Sequence, residues 1–258
     1  MSRRAAEQLA FVLHRYDWSE SSLILEVFAR EQGRLTLVAK GVKRPTSQFR
    51  PVLLPLQPLM LSWGGDAEVR TLKSAQWVGG HVMPTGEALL SGSYLNELLL
   101  RLMARDDPHP RVFDHYALAV RLLSEQPHAQ SLVLRAFELL LLREMGLLAD
   151  LDHEGSSLSV LEENARYVLT PELGLRQAAD EEAQGIGGAQ WEALARALES
   201  SQPLVDLLGV CAGSLAALRG QLRSLLHYHS GMSVFKTRQL MLDVQALAHH
   251  RPKPSQEI

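Results

Sequence analysis

Residues Lys40-Gly41-Val42-Lys43-Arg44-Pro45-Thr46-Ser47-Gln48-Phe49-Arg50-Pro51 hold four cations and no acid. A stretch of this kind tracks a phosphate backbone through point charges, while Phe49, with Trp18 and Trp63, offers faces on which unpaired bases stack. The competing reading is a solvated loop whose Phe49 plugs one end of the fold. A nucleoside triphosphate is not the expected ligand, because the G-x-x-x-x-G-K-[ST] spacing that cradles its phosphates is missing. Lys40, Lys43, Arg44 and Arg50 are therefore the primary candidates for phosphate contact. Arg34, Arg70 and Lys73 support them if their strands face the same side. Lys236 and Arg238 extend the track from a basic C-terminal segment, with helix capping and ion pairing as the alternative.

A catalytic constellation is harder to find. Ten histidines include His227, His229 and His249-His250, but no H-E-x-x-H or carboxylate at metal-ligand spacing accompanies them. The pairs Ser156-Ser157 and Ser230-Gly231 lack the context of a nucleophile elbow. Asp152-His153-Glu154 is the one acidic trio that leaves a metal-dependent nuclease or hydrolase open as a remote option. The single cysteine, Cys211, lies in an apolar stretch and reads as a small core residue. One cysteine allows neither an internal disulfide nor a Cys-rich zinc site. The expectation is a protein that is not an enzyme and carries no metal or other cofactor.

The elements that must position these residues fall into two classes. At 258 residues and 46% hydrophobic content the chain has material for one or two domains with a full core. Up to residue 80 the apolar residues alternate or cluster in short runs closed by turn signals: Leu9 to Leu13, Ser22 to Phe28, Leu35 to Ala39, Leu59 to Trp63 and Val69 to Trp77. Glu31-Gln32-Gly33 and Gly64-Gly65-Asp66 are the turn sequences between neighbouring strands. Five short strands in about eighty residues, too apolar to leave open edges, predict a small closed barrel of the OB type.

From Pro84 the period becomes helical, with segments to Ala104, from Phe113 to Leu123, from Ala129 to Leu148, from Gln190 to Glu199, from Leu215 to Tyr228 and from Phe235 to His249. The third of these is the most apolar and is expected to be the buried spine. Between them Leu148 to Ala189 is irregular and acidic, with a possible hairpin at Tyr167 to Leu175 and a linker at Gly185 to Gly188. The expected fold is α+β: an OB-fold DNA-binding domain at 1–80, an all-α partner-binding domain at 81–250 with an irregular insertion near 149–189, and a basic tail at 251–258. No uncharged stretch reaches the roughly 18 residues of a spanning helix, so neither secretion nor membrane insertion is expected.

Charge is divided in the same way. Residues 1–80 hold eleven Lys/Arg against seven Asp/Glu, residues 81–218 nine against twenty, and residues 219–258 six against two. A basic unit and a basic C-terminal segment thus flank an acidic middle, which suits a polyanion on one face and another kind of partner elsewhere. The alternative is a protein-interaction scaffold with a vestigial OB barrel and no significant DNA binding, which the net charge of −3 favours.

Several segments together resemble the RecO family of bacterial recombination mediators. They are Ala10-Phe11-Val12-Leu13-His14 with Trp18-Ser19-Glu20-Ser21-Ser22-Leu23, Gly33-Arg34-Leu35-Thr36-Leu37-Val38-Ala39-Lys40-Gly41, and Thr71-Leu72-Lys73-Ser74-Ala75. The likeness resumes at Tyr94-Leu95-Asn96-Glu97-Leu98, Arg135-Ala136-Phe137-Glu138-Leu139 and Phe235-Lys236-Thr237-Arg238-Gln239-Leu240. The resemblance implies a cytoplasmic, nucleoid-associated protein that binds single- and double-stranded DNA and anneals complementary strands without ATP. It also implies work with RecR, with the acidic tail of single-stranded DNA-binding protein, and indirectly with RecF and RecA in the RecF pathway. That tail ends in a phenylalanine carboxylate, so its site must combine an apolar slot with arginine. Arg135 and Arg143, which interrupt the Leu-rich helix, are the candidates, with an Arg135–Glu138 ion pair as the alternative reading. Many relatives carry a four-cysteine zinc site. This chain has His153 in that region and cannot form one.

Overall fold

The computed structural model describes residues 7–249 except 66–67, 180–181 and 233, and excludes the side chains of 238 and 245–249. The tail expected at 251–258 and the side chain of Arg238 lie outside the described residues.

The barrel strands are β1 (Gln8–Asp17), β2 (Leu23–Ala29), β3 (Gly33–Ala39), β4 (Leu59–Gly64) and β5 (Val69–Trp77). They close in the order β1-β2-β3-β5-β4, with β3 and β5 parallel and the other pairs antiparallel, which is the OB fold. Inward residues Ala10, Val12, Leu25, Val27, Leu35, Leu37, Leu59, Leu61 and Trp63 fill the lumen, and Val42 and Leu53 from the β3–β4 loop stopper it. Alternate residues Phe11, Leu13 and Phe28 face the other way and join the core of the helices. Both sides of Ala10–Leu13 are thus buried, which is why that segment is a continuous apolar run rather than an alternating one.

The helices are α1 (Gly86–Leu102), α2 (Pro110–Glu125), α3 (Gln130–Glu144), α4 (Gly188–Leu198), α5 (Pro203–Cys211), α6 (Leu215–Ser230) and α7 (Lys236–His249). The spine expected from the Leu-rich stretch is α3, buried from Val133 through Leu142 except at Leu134. The irregular insertion is not all coil: β6 (Arg166–Thr170) pairs with β7 (Gly174–Gln177) as an antiparallel hairpin, and short β8 (Ile186–Gly187) adds a third strand. The hairpin expected at Tyr167 to Leu175 is thus present, and with β8 it makes one small sheet within the otherwise helical domain. The Gly185–Gly188 segment supplies β8 and the first residue of α4, so it is not a free linker. Between the pair α5 and α6 only a 3-10 turn (Ala212–Ser214) intervenes, so Pro203–Ser230 is long and apolar enough, by length and composition alone, to cross a bilayer. Here its residues Leu204, Leu207, Cys211, Leu218, Leu222, Leu225 and Leu226 are buried in the helical core.

Barrel and helices meet in a seam built like a core. Phe11 lies 5.0 Å edge-on to Tyr116 and 5.4 Å from Phe113, and Phe28 lies 5.3 Å from Phe113. Each fully buried side chain of this size contributes roughly 1.5–3 kcal/mol. Polar bonds fix the register: the Asn96 amide donates to the Leu13 carbonyl (2.9 Å), and the Arg34 guanidinium donates to the Leu100 carbonyl (2.5 Å). Gly33 shows why its position takes no side chain. It has φ +70°, and a Cβ there would sit 1.9 Å from the Asp107 carbonyl oxygen.

Candidate nucleic-acid interface and partner groove

The β1–β2 turn and the β3–β4 loop leave the barrel at the same end, and Lys43 ties them together. Its ammonium donates to the Ser19 carbonyl (3.0 Å) and pairs with Asp17 (2.6 Å), while its backbone N–H donates to the Ser21 carbonyl (2.9 Å). The loop is a chain of turns rather than an open strap. Gly41 takes φ +69°, Arg44 and Ser47 donate to the Gly41 and Arg44 carbonyls, and Val42, Phe49, Val52 and Leu53 anchor the loop on the barrel core. Lys40, Arg44 and Arg50 are exposed on it. Beside them Trp18 is 65% exposed and Tyr16 47%. This end of the barrel offers exposed cations and exposed rings without further rearrangement. Of the three aromatics expected to stack, Trp18 alone is freely presented: Trp63 is buried in the lumen, and Phe49 packs on it as the plug of the alternative reading.

The other candidate cations are dispersed. Arg70 pairs with Asp106 at 2.7 Å, and so faces the seam. Lys73 is exposed on β5, its stem against Gly64. Arg34 lies in a cleft of about 620 Å³ between barrel and helices, together with Lys236 at the start of α7. Burial, and then the neighbouring Arg105 charge, push the Arg34 guanidinium below its usual range, yet arginine remains charged. Sequence reasoning missed two residues of this cleft, Arg101 in the last turn of α1 and Arg105 just beyond it. Arg101 reads as an ordinary surface position of its helix and Arg105 as a loop residue, and only the docking of the barrel places them opposite His14 and Tyr16.

Arg135 and Arg143 do not share a site. Arg135 is buried, hydrogen-bonded to Glu138, whose carboxylate also accepts from the Tyr94 hydroxyl (2.8 Å). The expected ion pair is therefore present. Arg135 nonetheless lines a groove of about 410 Å³ with Tyr94, Leu134, Leu215, Met241 and Leu242, and exposed Arg219 stands at its edge. Arg143 instead pairs with Glu199 at 3.1 Å beside a separate hollow containing Asp150, Asp152 and His153. In that hollow His153 and Asp152 are joined at 2.8 Å, and the imidazole's hydrogen bond holds the Asp152 carboxyl below the usual range. Glu154 is turned away to accept from Ser157 (2.5 Å), so the acidic trio does not converge. Cys211 is fully buried, and desolvation pushes its thiol up to about 12.

Residues 1–81 match the family model described as Recombination protein O N terminal, and residues 83–239 match Recombination protein O C terminal. The chain is 59% identical over 247 residues to the DNA repair protein RecO of Polaromonas sp. (strain JS666 / ATCC BAA-500), covering 95% of this chain and 99% of the relative. The DNA repair protein RecO of Polaromonas naphthalenivorans (strain CJ2) gives the same figures. That of Variovorax paradoxus (strain S110) is 59% identical over 255 residues, again 95% of this chain and 99% of the relative.

Proposed function

The chain belongs to the RecO family of DNA repair proteins, and we propose that it is a non-catalytic mediator that binds single- and double-stranded DNA, anneals complementary strands and, with RecR, assists RecA loading on strands coated by single-stranded DNA-binding protein. The observation that carries this reading is the barrel end where Lys40, Arg44 and Arg50 stand exposed beside Trp18 and Tyr16. Two strands repel through their phosphates, and cations that neutralise both lower the cost of bringing them together. Exposed rings hold unpaired bases by stacking, which tolerates any sequence, so pairing between the strands supplies the discrimination. Lys43 serves by fixing the loop against the β1–β2 turn, and in contacting Asp17 it gives up part of its own field.

The acidic tail of the single-stranded DNA-binding protein is assigned to the groove between α3, α6 and α7. Its apolar walls suit a terminal aromatic ring, and Arg219, with Arg135 deeper in, suits a carboxylate.

Binding of labelled single strands and duplexes, measured by fluorescence anisotropy across a salt series, tests the DNA reading. Reversing Lys40 and Arg44 to Glu is expected to flatten the log–log salt slope by about 1.4 for single strands and about 1.8 for duplex, and to slow annealing. A wild-type protein that binds no DNA at low salt would leave the scaffold reading in its place.

A further inference from the structure

The cleft between the barrel and the helical domain has a composition that the loop site does not explain. Its walls come from four places: His14, Tyr16, Glu26 and Arg34 on the barrel, Asn96, Glu97 and Arg101 on α1, Arg105 just after it, and Lys236 and Thr237 on α7. Both acids are already engaged. Glu26 accepts from Thr36 and from Arg105 (2.7 Å), and Glu97 caps α7 by accepting from the backbone N–H groups of Lys236 and Thr237 (2.9 Å each) and from the Thr237 hydroxyl. Arg105 is held in turn by Glu26 and Glu68. Among the described residues Arg101 and Lys236 have no acidic side chain paired with them, and both are exposed on walls of one cleft. The Glu97 cap is what sets Lys236 there, because it fixes the first turn of α7 onto α1.

We propose that this cleft is a second strand-binding subsite, in which Arg101 and Lys236 hold phosphates of an unpaired strand running from the β3–β4 loop into the seam, with Tyr16 stacking a base at its mouth. The inference rests on the DNA-binding reading and extends it. Continuity comes from the chain itself: Tyr16 lines the cleft and adjoins Asp17, the partner of Lys43, while Pro55 of the β3–β4 loop forms another part of the wall. The ring of Tyr16 is braced edge-on by His14 at 4.4 Å, so it stands as a ready platform. A volume of about 620 Å³ lies in the range of single-ligand sites, which admits a few nucleotides of one strand and excludes a duplex. The subsite thus favours single-stranded over double-stranded DNA, a preference that a cationic loop alone does not create.

The experiment uses the full chain, a labelled single strand of mixed sequence, a duplex of equal length, and an anisotropy titration over a salt series. Arg101→Glu and Lys236→Glu are each expected to flatten the single-strand salt slope by about 0.7 or slightly more and to leave the duplex slope at its wild-type value. Tyr16→Ala is expected to weaken single-strand binding about five- to hundredfold with the slope unchanged, and Arg101→Lys is expected to retain it. Equal losses on both substrates, or unchanged single-strand slopes in both charge reversals, overturn the subsite. Loss through Lys40 and Arg44 alone leaves DNA binding standing without the cleft. A wild-type chain that binds neither substrate removes both readings. Because Arg101, Lys236 and Tyr16 are exposed, melting temperatures close to wild type are expected for all four variants.

Discussion

Asn96 offers the sharpest test of whether barrel and helices form one cooperative body. The residue is 4% exposed and spends its amide on two elements at once: Nδ2 donates to the Leu13 carbonyl on β1, and Oδ1 accepts from the Tyr116 hydroxyl on α2 at 2.5 Å. Tyr116 is wholly buried, and desolvation drives its phenol far above the ordinary range, so the hydroxyl remains a donor at any pH the protein meets. Asn96→Ala strands two buried polar groups. At about 1–3 kcal/mol for each group left unmade, the change is expected to cost about 2–6 kcal/mol and to lower Tm by about 4–24 °C. Tyr116→Phe removes one donor and is expected to cost about 1–2 kcal/mol. The double variant is expected to be less destabilised than the sum of the two by about 1 kcal/mol, because removing both partners abolishes an orphan that each single change creates. Urea melts followed by tryptophan fluorescence and by far-UV circular dichroism give all three numbers. Fluorescence draws on Trp63 inside the barrel and Trp191 inside the helical domain alike, and circular dichroism is weighted to the helices, so both probes are expected to move in one transition. Strict additivity, single costs below about 0.5 kcal/mol, or separate transitions for the two probes would refute the reasoning.

Gly33→Ala is expected to destabilise by about 3 kcal/mol or more, since a left-handed φ and the Asp107 carbonyl both oppose a Cβ. Gly79→Ala, at φ +84° with open space around it, is expected to lose only about 1 kcal/mol, and equal costs in thermal melts would contradict the seam geometry. For Cys211 the native thiol is raised above its unfolded value of 9.0, so its contribution to stability is complete below pH 9 and is lost as pH rises towards about 12. Tm of the wild type is therefore expected to fall more steeply over that window than Tm of Cys211→Ala, and parallel curves would contradict this. Arg219→Ala is expected to weaken an acidic, phenylalanine-terminated peptide by about 1.5–3 kcal/mol in a titration while preserving the melt. Arg135→Ala is expected to lower stability by several kcal/mol because it removes a cation hydrogen-bonded to the buried Glu138 carboxylate; a stable Arg135→Ala protein would show the pair to be dispensable.

The strands were legible because each buries one or both faces of a short run, and the pattern of burial is written locally. β1 marks the limit: its apolar half, Leu9 to Leu13, reads as strand, and Tyr16-Asp17 read as the start of a polar break running to Ser21, although His14 to Asp17 continue the ladder opposite Leu23–Glu26. Those polar residues extend past the barrel core, and their pairing partner, not their own chemistry, makes them a strand. Helix α5 escaped for the opposite reason, being nine residues long and too apolar throughout to show a period. The site residues divide along the same line. The loop cations were found because four like charges without an acid are a local fact. Their standing as free charges is a tertiary one: Arg70 meets Asp106 from the far side of the seam and Lys43 meets Asp17, while Lys40 meets none among the described residues. Arg135 and Arg143 share a helix and a sequence context, yet eight residues turn the helix roughly 80° past full revolutions, so the two open onto different hollows. Charge type is read from the sequence, but the charge that is left over for a ligand is what remains after the fold has made its own pairs. By that measure Arg101, silent in the sequence, outranks Arg70, which the sequence put forward.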